Sequence, residues 1–283
     1  MADAVGTGLR PVHGPSAVGG GRARFFDLLY LIAVTDFKKS YFGTVLGYLW
    51  SLARPLMLFG VLLAVFTQIF RIGSGVPHYP VLLLLNIVVF GFFQEATFAA
   101  VTSVLAREGI VRKTQFPRLV IPLAVVVTSL FNLGLNLIAV LIFVFAFGVD
   151  PTWTWLLFPL VLGALLVFTV AVSMLLSALY VRFRDVAIIW TVLVTVLFYG
   201  TPVLYPIDIV EGHDLLKDVI QLNPLTPIFE QMRVWIVDPT APTWIDAADG
   251  WPLVLAPVAI YLAICGLAVW VFNREAPRIA EEL

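Results

Sequence analysis

The sequence predicts an all-α integral membrane protein with six transmembrane helices, and three observations carry that prediction. Of 283 residues, 61% are hydrophobic and only 12% charged, whereas soluble domains average about half apolar and about a quarter charged. Six stretches reach the roughly 20 apolar residues that a helix needs to cross a bilayer. The cations fall almost entirely on one side of those stretches, which is how Lys and Arg distribute between inner and outer loops. The formal charge of −1 therefore matters less than where each charge lies.

Residues 1–24 are rich in Gly, Ala and Pro and lack an apolar centre, so they read as a disordered cytoplasmic tail rather than a cleavable signal peptide. Targeting then falls to the first spanning helix. Next comes "FFDLLYLIAV" (Phe25 to Val34), followed by the charged "TDFKKSYF". Ten residues rise only about 15 Å as a helix, too little to cross. Residues 25–42 are therefore expected to form an interfacial amphipathic helix on the inner leaflet.

The six spans run approximately from Val45 to Phe70, Tyr79 to Leu105, Leu119 to Phe147, Trp153 to Val181, Val186 to Leu204 and Trp251 to Phe272. An even number places both termini on one side. With the termini inside, the inner loops hold fourteen cations, including Lys38, Lys39, Arg54, Arg107, Arg112, Lys113, Arg118, Arg182, Arg184 and Arg274. The outer loops hold three: Arg71, Lys217 and Arg233. That asymmetry predicts cytoplasmic termini. The outer segment from Tyr205 to Gly250 carries eight acidic residues. Its Pro-punctuated, half-apolar pattern suits short helices dipping back toward the membrane and equally an ordinary folded loop.

No P-loop is present: of the four lysines, Lys39 and Lys113 precede Ser and Thr, but Lys38 and Arg112 stand before them where Gly is required. His13, His78 and His213 lie in separate loops without metal-ligand spacing, and Cys265 is the single cysteine. No metal site, disulfide or resident cofactor is expected, nor a nucleic-acid partner. Cys265 reads as a small hydrophobe in an apolar run. Glu95, in "FGFFQEATF", is the one carboxylate expected at membrane depth. It is either a hydrogen-bonded helix-packing residue or part of a wet channel. A proton-driven carrier would need more such groups. Aromatics are abundant, among them Tyr48, Trp50, Phe59, Phe93, Phe198 and Tyr199, while Trp153, Trp155 and Trp251 fit an interfacial belt.

Four segments, in order, carry a family resemblance: "KKSYFGTVLGYLWSLARPLM", "GIVRKTQFPRLVIP", "LSALYVRFRDVAIIW" with "GTPVLYP", and "QLNPLTPIFEQMR". Together they resemble the membrane subunit of ABC-2 type polysaccharide exporters, the group that moves O-antigens, teichoic acids and related glycans. Arg54 departs from the family pattern, in which an uncharged polar residue is more usual, and can snorkel to the interface.

The resemblance implies that residues 43–283 form an ABC-2 type transmembrane domain. It places a coupling helix at about Ser103 to Gln115, docking on a separate ATP-binding subunit. It assigns that contact to Arg107, Glu108, Arg112, Lys113, Phe116, Pro117 and Arg118, with Arg182, Arg184 and Asp185 as a second contact. The same cations also suit topology and anionic lipid. It implies a homodimer above two ATP-binding subunits, which hold the ATP and Mg, in a bacterial inner membrane. A lipid-linked glycan is taken up near Lys38, Lys39, Tyr41 and Arg54. The channel passes Tyr48, Trp50, Phe59, Phe93, Glu95, Phe198 and Tyr199, and an outer gate holds Pro202, Tyr205, Asn223 and Pro224. An Ala-, Val- and Arg-rich, Lys-poor composition suggests a high-GC bacterium, for which a cell-wall galactan precursor is one substrate expectation. The alternatives are an ABC-2 exporter of a lipid or drug, and an integral-membrane enzyme of cell-wall lipid synthesis.

Overall fold

A computed structural model describes residues 22–41, 47–71, 75–109, 117–210, 214–248 and 250–275. Among these residues the regular structure is entirely helical. Five helices are long and apolar enough to cross a membrane, and a sixth apolar helix is shorter.

Helix α1 (Arg22–Tyr41) is one continuous helix of 20 residues, close to the helix expected over 25–42. In its polar second half Thr35 and Ser40 donate their hydroxyls to the carbonyls of Leu31 and Asp36 one turn earlier, and tertiary contacts fasten this half to the bundle. Phe37 meets Phe131 at 5.5 Å between ring centroids, and Thr128 Oγ1 donates to the Ala33 carbonyl at 3.3 Å.

Helix α2 (Gly47–Ala64) continues as a π-helical turn over Val65–Ile69, closed where Phe70 N–H reaches the Val65 carbonyl at 3.1 Å. Helix α3 (Tyr79–Ser103) is apolar around its circumference, as suits a helix surrounded by others. In its most apolar window 78% of residues are buried within the chain, against 6% for α2. Thus α3 is the axis of the fold and α2 lies at its margin.

Helix α4 (Val120–Ala146) ends in a Schellman turn. Gly148 takes φ +70°, its N–H bonds the Phe145 carbonyl, and Val149 N–H bonds the Val144 carbonyl at 3.1 Å. Val144 and Val149 are both buried, the apolar contact that accompanies this cap. A 3₁₀ turn at Trp153–Leu157 leads into α5 (Phe158–Arg182).

Helix α6 (Val186–Gly200) has 15 residues, about 22 Å by helical rise against a hydrocarbon core of about 30 Å. The sequence places its end at Leu204; the structure ends it four residues earlier. The cause is local: Pro202 cannot continue a helix and keeps Thr201 extended, with ψ 147°.

The outer segment folds into a 3₁₀ turn at Ile207–Val210 and two short helices, α7 (Asp214–Leu222) and α8 (Thr226–Met232). The latter runs on as a π-helical turn over Arg233–Val237. Of the two readings left open, short helices are what form. Helix α9 (Trp251–Glu275) packs on α5, with Tyr261 donating to the Ala164 carbonyl at 2.8 Å and stacking on Phe168.

Candidate functional site

Three clusters of polar side chains interrupt this apolar bundle. The first joins α1, α3 and α4. Asn132, on α4, accepts from the Tyr41 hydroxyl at 2.5 Å and donates through Nδ2 to Glu95 Oε1 on α3. Ser129, one turn earlier on the same face of α4, also donates to Glu95 Oε1, at 3.4 Å. Asn136, a turn beyond, donates to the Asn132 carbonyl. Glu95 remains exposed on the chain surface, and the Arg54 cation of α2 acts on it across space. The carboxyl is thus held in place by donors from α4 while one side stays accessible.

Nearby, Asp36 of α1 forms an ion pair with Arg107, both half-buried. Arg107 closes the 3₁₀ turn Leu105–Arg107 that follows α3, so the basic loop and the N-terminal helix are mechanically joined. Glu108 is half-buried, and Pro117 and Arg118 are buried where the chain enters α4. Arg112, Lys113 and Phe116 lie outside the described residues.

On the loop between α5 and α6, Arg182, Arg184 and Asp185 are exposed. Arg182 lies over the Phe183 ring and Arg184 over Tyr180, at 5.4 and 5.2 Å. Lys38, Lys39 and Arg54 are exposed as well.

The aromatic residues separate into two groups. Phe93 is fully buried, stacked on Phe168 at 5.9 Å and edge-on to Trp190. Phe59 is buried against Phe143, and Phe198 is half-buried against Phe90. Trp50 and Tyr199, by contrast, are exposed. Tyr48 lies in α2, within a described helix.

The outer cluster pins the "GTPVLYP" segment. Asn86 Nδ2 reaches the carbonyls of Pro202 and Val203, both at 3.1 Å, and Tyr79 donates to the Leu204 carbonyl at 2.8 Å. Asn223 donates to the Gly200 carbonyl and to Thr201 Oγ1, while Tyr205 donates to the Tyr199 carbonyl. Pro202 is buried; Tyr205, Asn223 and Pro224 are half-buried.

Beside that segment lies a buried ionic group. Arg233 Nη1 contacts Asp208 Oδ2 at 2.8 Å and Glu230 Oε2 at 3.4 Å, and Glu230 Oε1 accepts the Ile207 N–H at 3.0 Å. Burial pushes the Glu230 carboxyl up to about 7, against the lowering influence of Arg233.

No three His, Cys, Asp or Glu residues converge as metal ligands among the described residues. The polar side chains instead join helices to one another.

A family profile for ABC-2 type transporters matches residues 27–237. The chain belongs to the ABC-2 type transporter family. The O-antigen export system permease protein RfbA of Myxococcus xanthus is 30% identical over 253 residues, covering 89% of this chain and 94% of that relative. A Klebsiella pneumoniae permease of the same description is 30% identical over 259 residues, with 91% and 95% covered. In this ABC-2 chain the family match takes in the first four candidate spans and both polar clusters, and ends before the span at Trp251–Glu275.

Some of the joining residues are not evident from sequence. Asn132, Ser129 and Asp36 complete the inner cluster, and Asn86, Glu230 and Asp208 the outer one. The spacing of Ser129, Asn132 and Asn136 in "TSLFNLGLNL" is the available signal, since residues three and four apart share one helix face.

Proposed function

We propose that this chain is the membrane permease subunit of an ATP-driven exporter of a cell-envelope polysaccharide. The observation carrying this reading is the near end-to-end match to O-antigen permeases, over 94% and 95% of their lengths. The chain has no P-loop, so energy enters through a contact with a separate ATP-binding subunit, two copies of which bind ATP and Mg beneath a homodimer of this chain. Six crossings place both termini in the cytoplasm of a bacterial inner membrane, with α6 completing its crossing through the Thr201–Leu204 segment.

The substrate is a glycan carried on a polyprenyl pyrophosphate, taken from the inner leaflet beside α1. The exposed cations Lys38, Lys39 and Arg54 suit its pyrophosphate. The Asp36–Arg107 pair supports a coupling role for the loop after α3, because it fastens that loop to α1 and, through Tyr41 and Asn132, to Glu95. Movement imposed on the loop by ATP-driven closure then displaces the uptake helix and the exposed edge of the path. The short outer helices and the pinned Gly200–Tyr205 segment close the exit until that displacement reaches them.

The test is affinity purification from native membranes in mild detergent, with mass spectrometry and ATPase assay of the eluate. A parallel sample carries Arg112→Glu and Lys113→Glu. Co-purification of an ATP-binding cassette protein and ATPase activity, both lost in the variant while membrane insertion persists, is the expected result. A wild-type chain that emerges alone and inactive overturns the reading. Translocation of a lipid-linked glycan by the reconstituted complex then separates polysaccharide export from lipid or drug export.

A further inference from the structure

The helices α5 and α9 run parallel, and their basic ends frame a cavity of about 200 Å³ lined by Ala178, Leu179, Arg182, Phe183, Trp270, Val271, Arg274 and Glu275. We propose that this cavity binds the headgroup phosphate of an anionic phospholipid. The proposal rests on the membrane-spanning fold alone and does not depend on what the protein exports.

The arrangement has the two chemistries that such a lipid presents. Arg274 lies 5.2 Å over the Trp270 ring and Arg182 5.4 Å over the Phe183 ring. Cation–π contact holds a guanidinium in place without consuming its N–H donors. Among the described residues neither guanidinium donates a hydrogen bond to the protein, and Arg274 Nε lies 4.0 Å from Glu275 Oε1. Two arginines and one glutamate line the cavity, so cations outnumber carboxylates among its side chains.

The carboxyl-terminal ends of both helices oppose an anion and, at about half a charge each, together offset about one of the two guanidinium charges, so the site relies on its forked donors rather than on net charge. Forked donors suit phosphate oxygens better than a point cation does. Trp270 and Phe183 are 57% and 54% exposed, placing amphipathic and apolar rings beside the charged heads, as at a headgroup boundary. The cavity walls below them, Ala178, Leu179 and Val271, are apolar and suit the first carbons of an acyl chain. Basic pockets between spanning helices are the recurrent form of such sites.

The test is native mass spectrometry of the full chain purified in detergent, titrated separately with phosphatidylglycerol, phosphatidylcholine and soluble glycerol 3-phosphate. One phosphatidylglycerol per chain is expected to be retained in preference to phosphatidylcholine, with glycerol 3-phosphate not retained. Each of Arg182→Gln and Arg274→Gln should weaken retention about fivefold, and the double variant about 25-fold. Arg274→Lys should fall between, because it keeps the charge but loses the fork. Equal retention of the two lipids, or a double variant that binds as the wild type does, overturns the proposal. Retention of glycerol 3-phosphate as strong as that of the lipid overturns the lipid source. Should the double variant fail to insert, the lysine variant and the wild-type lipid preference still decide. Loss of the ATP-binding partner would sink the exporter reading and leave this result readable.

Discussion

Replacing Asn132 by leucine removes in one change the acceptor for Tyr41 and the donor for Glu95. Leaving such polar groups without partners away from water costs about 1–3 kcal/mol each, and leucine fills similar volume, so packing loss is minor. Asn132→Leu is expected to lower the detergent-solubilised melting temperature by several degrees, roughly 3–8 °C; Asn132→Gln, which keeps both an acceptor and a donor, should lower it less. Differential scanning fluorimetry decides, and equal melting of both variants with wild type would show that the seam contributes nothing. Glu230 gives a pH prediction with the opposite sign from an ordinary salt-bridged carboxylate. Its folded pKa is raised from 4.5 to about 7, so the folded state holds a proton that the unfolded state has released. Stability from this group is fully present below about pH 4.5 and is lost as pH rises to about 7. Glu230→Gln removes that proton linkage, and the difference between variant and wild-type melting should shift in favour of the variant across this window. A difference that stays constant with pH rejects the assignment. At this scale the sequence is only half legible. Glu95 stands out because a carboxylate in an apolar run is costly, whereas Glu230 and Asp208 pass for solvated loop acids until the fold buries one against Arg233.

The N-terminal helix is tied to the rest of the chain at its polar end. It joins the basic turn through Asp36–Arg107 and the interior of α4 through Tyr41 and Thr128. Because both charges of the ion pair are partly solvated, its contribution to stability is about 0.2–1 kcal/mol. Its mechanical role can therefore be separated from folding. Asp36→Arg or Arg107→Asp alone is expected to leave melting within about 2 °C of wild type, given that small stabilisation, yet cut substrate-stimulated ATPase activity of the reconstituted complex severalfold; the double reversal should restore most of it. Activity unaffected by the single reversals would remove α1 from the coupling path. Helix α1 is legible as a helix over 25–42, close to the observed Arg22–Tyr41; what pattern does not give is the set of tertiary partners of its polar end, Arg107 and Asn132. Helices α3, α4 and α5 are legible almost to their ends because their apolar length exceeds any alternative. The end of α6 is not, since Val203 and Leu204 extend the hydrophobic run past a proline that stops the helix.

Across the whole molecule, six crossings hinge on α6. Five helices have the length to span, while Val186–Gly200 alone covers about 22 Å. The remaining distance falls to Thr201–Leu204, whose backbone is not helical. Such a segment is tolerable at membrane depth only if protein satisfies its carbonyls, and here Asn86, Tyr79 and Asn223 do so. The extended stretch is therefore compatible with hydrocarbon depth, and the cation asymmetry that predicts the topology needs α6 to cross. Cysteine accessibility measures this directly in a Cys265→Ser background. Single cysteines at Asp150 and Thr240, both exposed, should react with a membrane-impermeant maleimide in intact cells. Cysteines at Ala106 and Arg184, also exposed, should react only after permeabilisation. A Thr240 cysteine that behaves like the one at Arg184 would put both ends of α6 on one face, reduce the crossings to five and carry the basic end of α9 outside. The Asn86–Pro202 contact would then be a re-entrant anchor instead of part of a crossing.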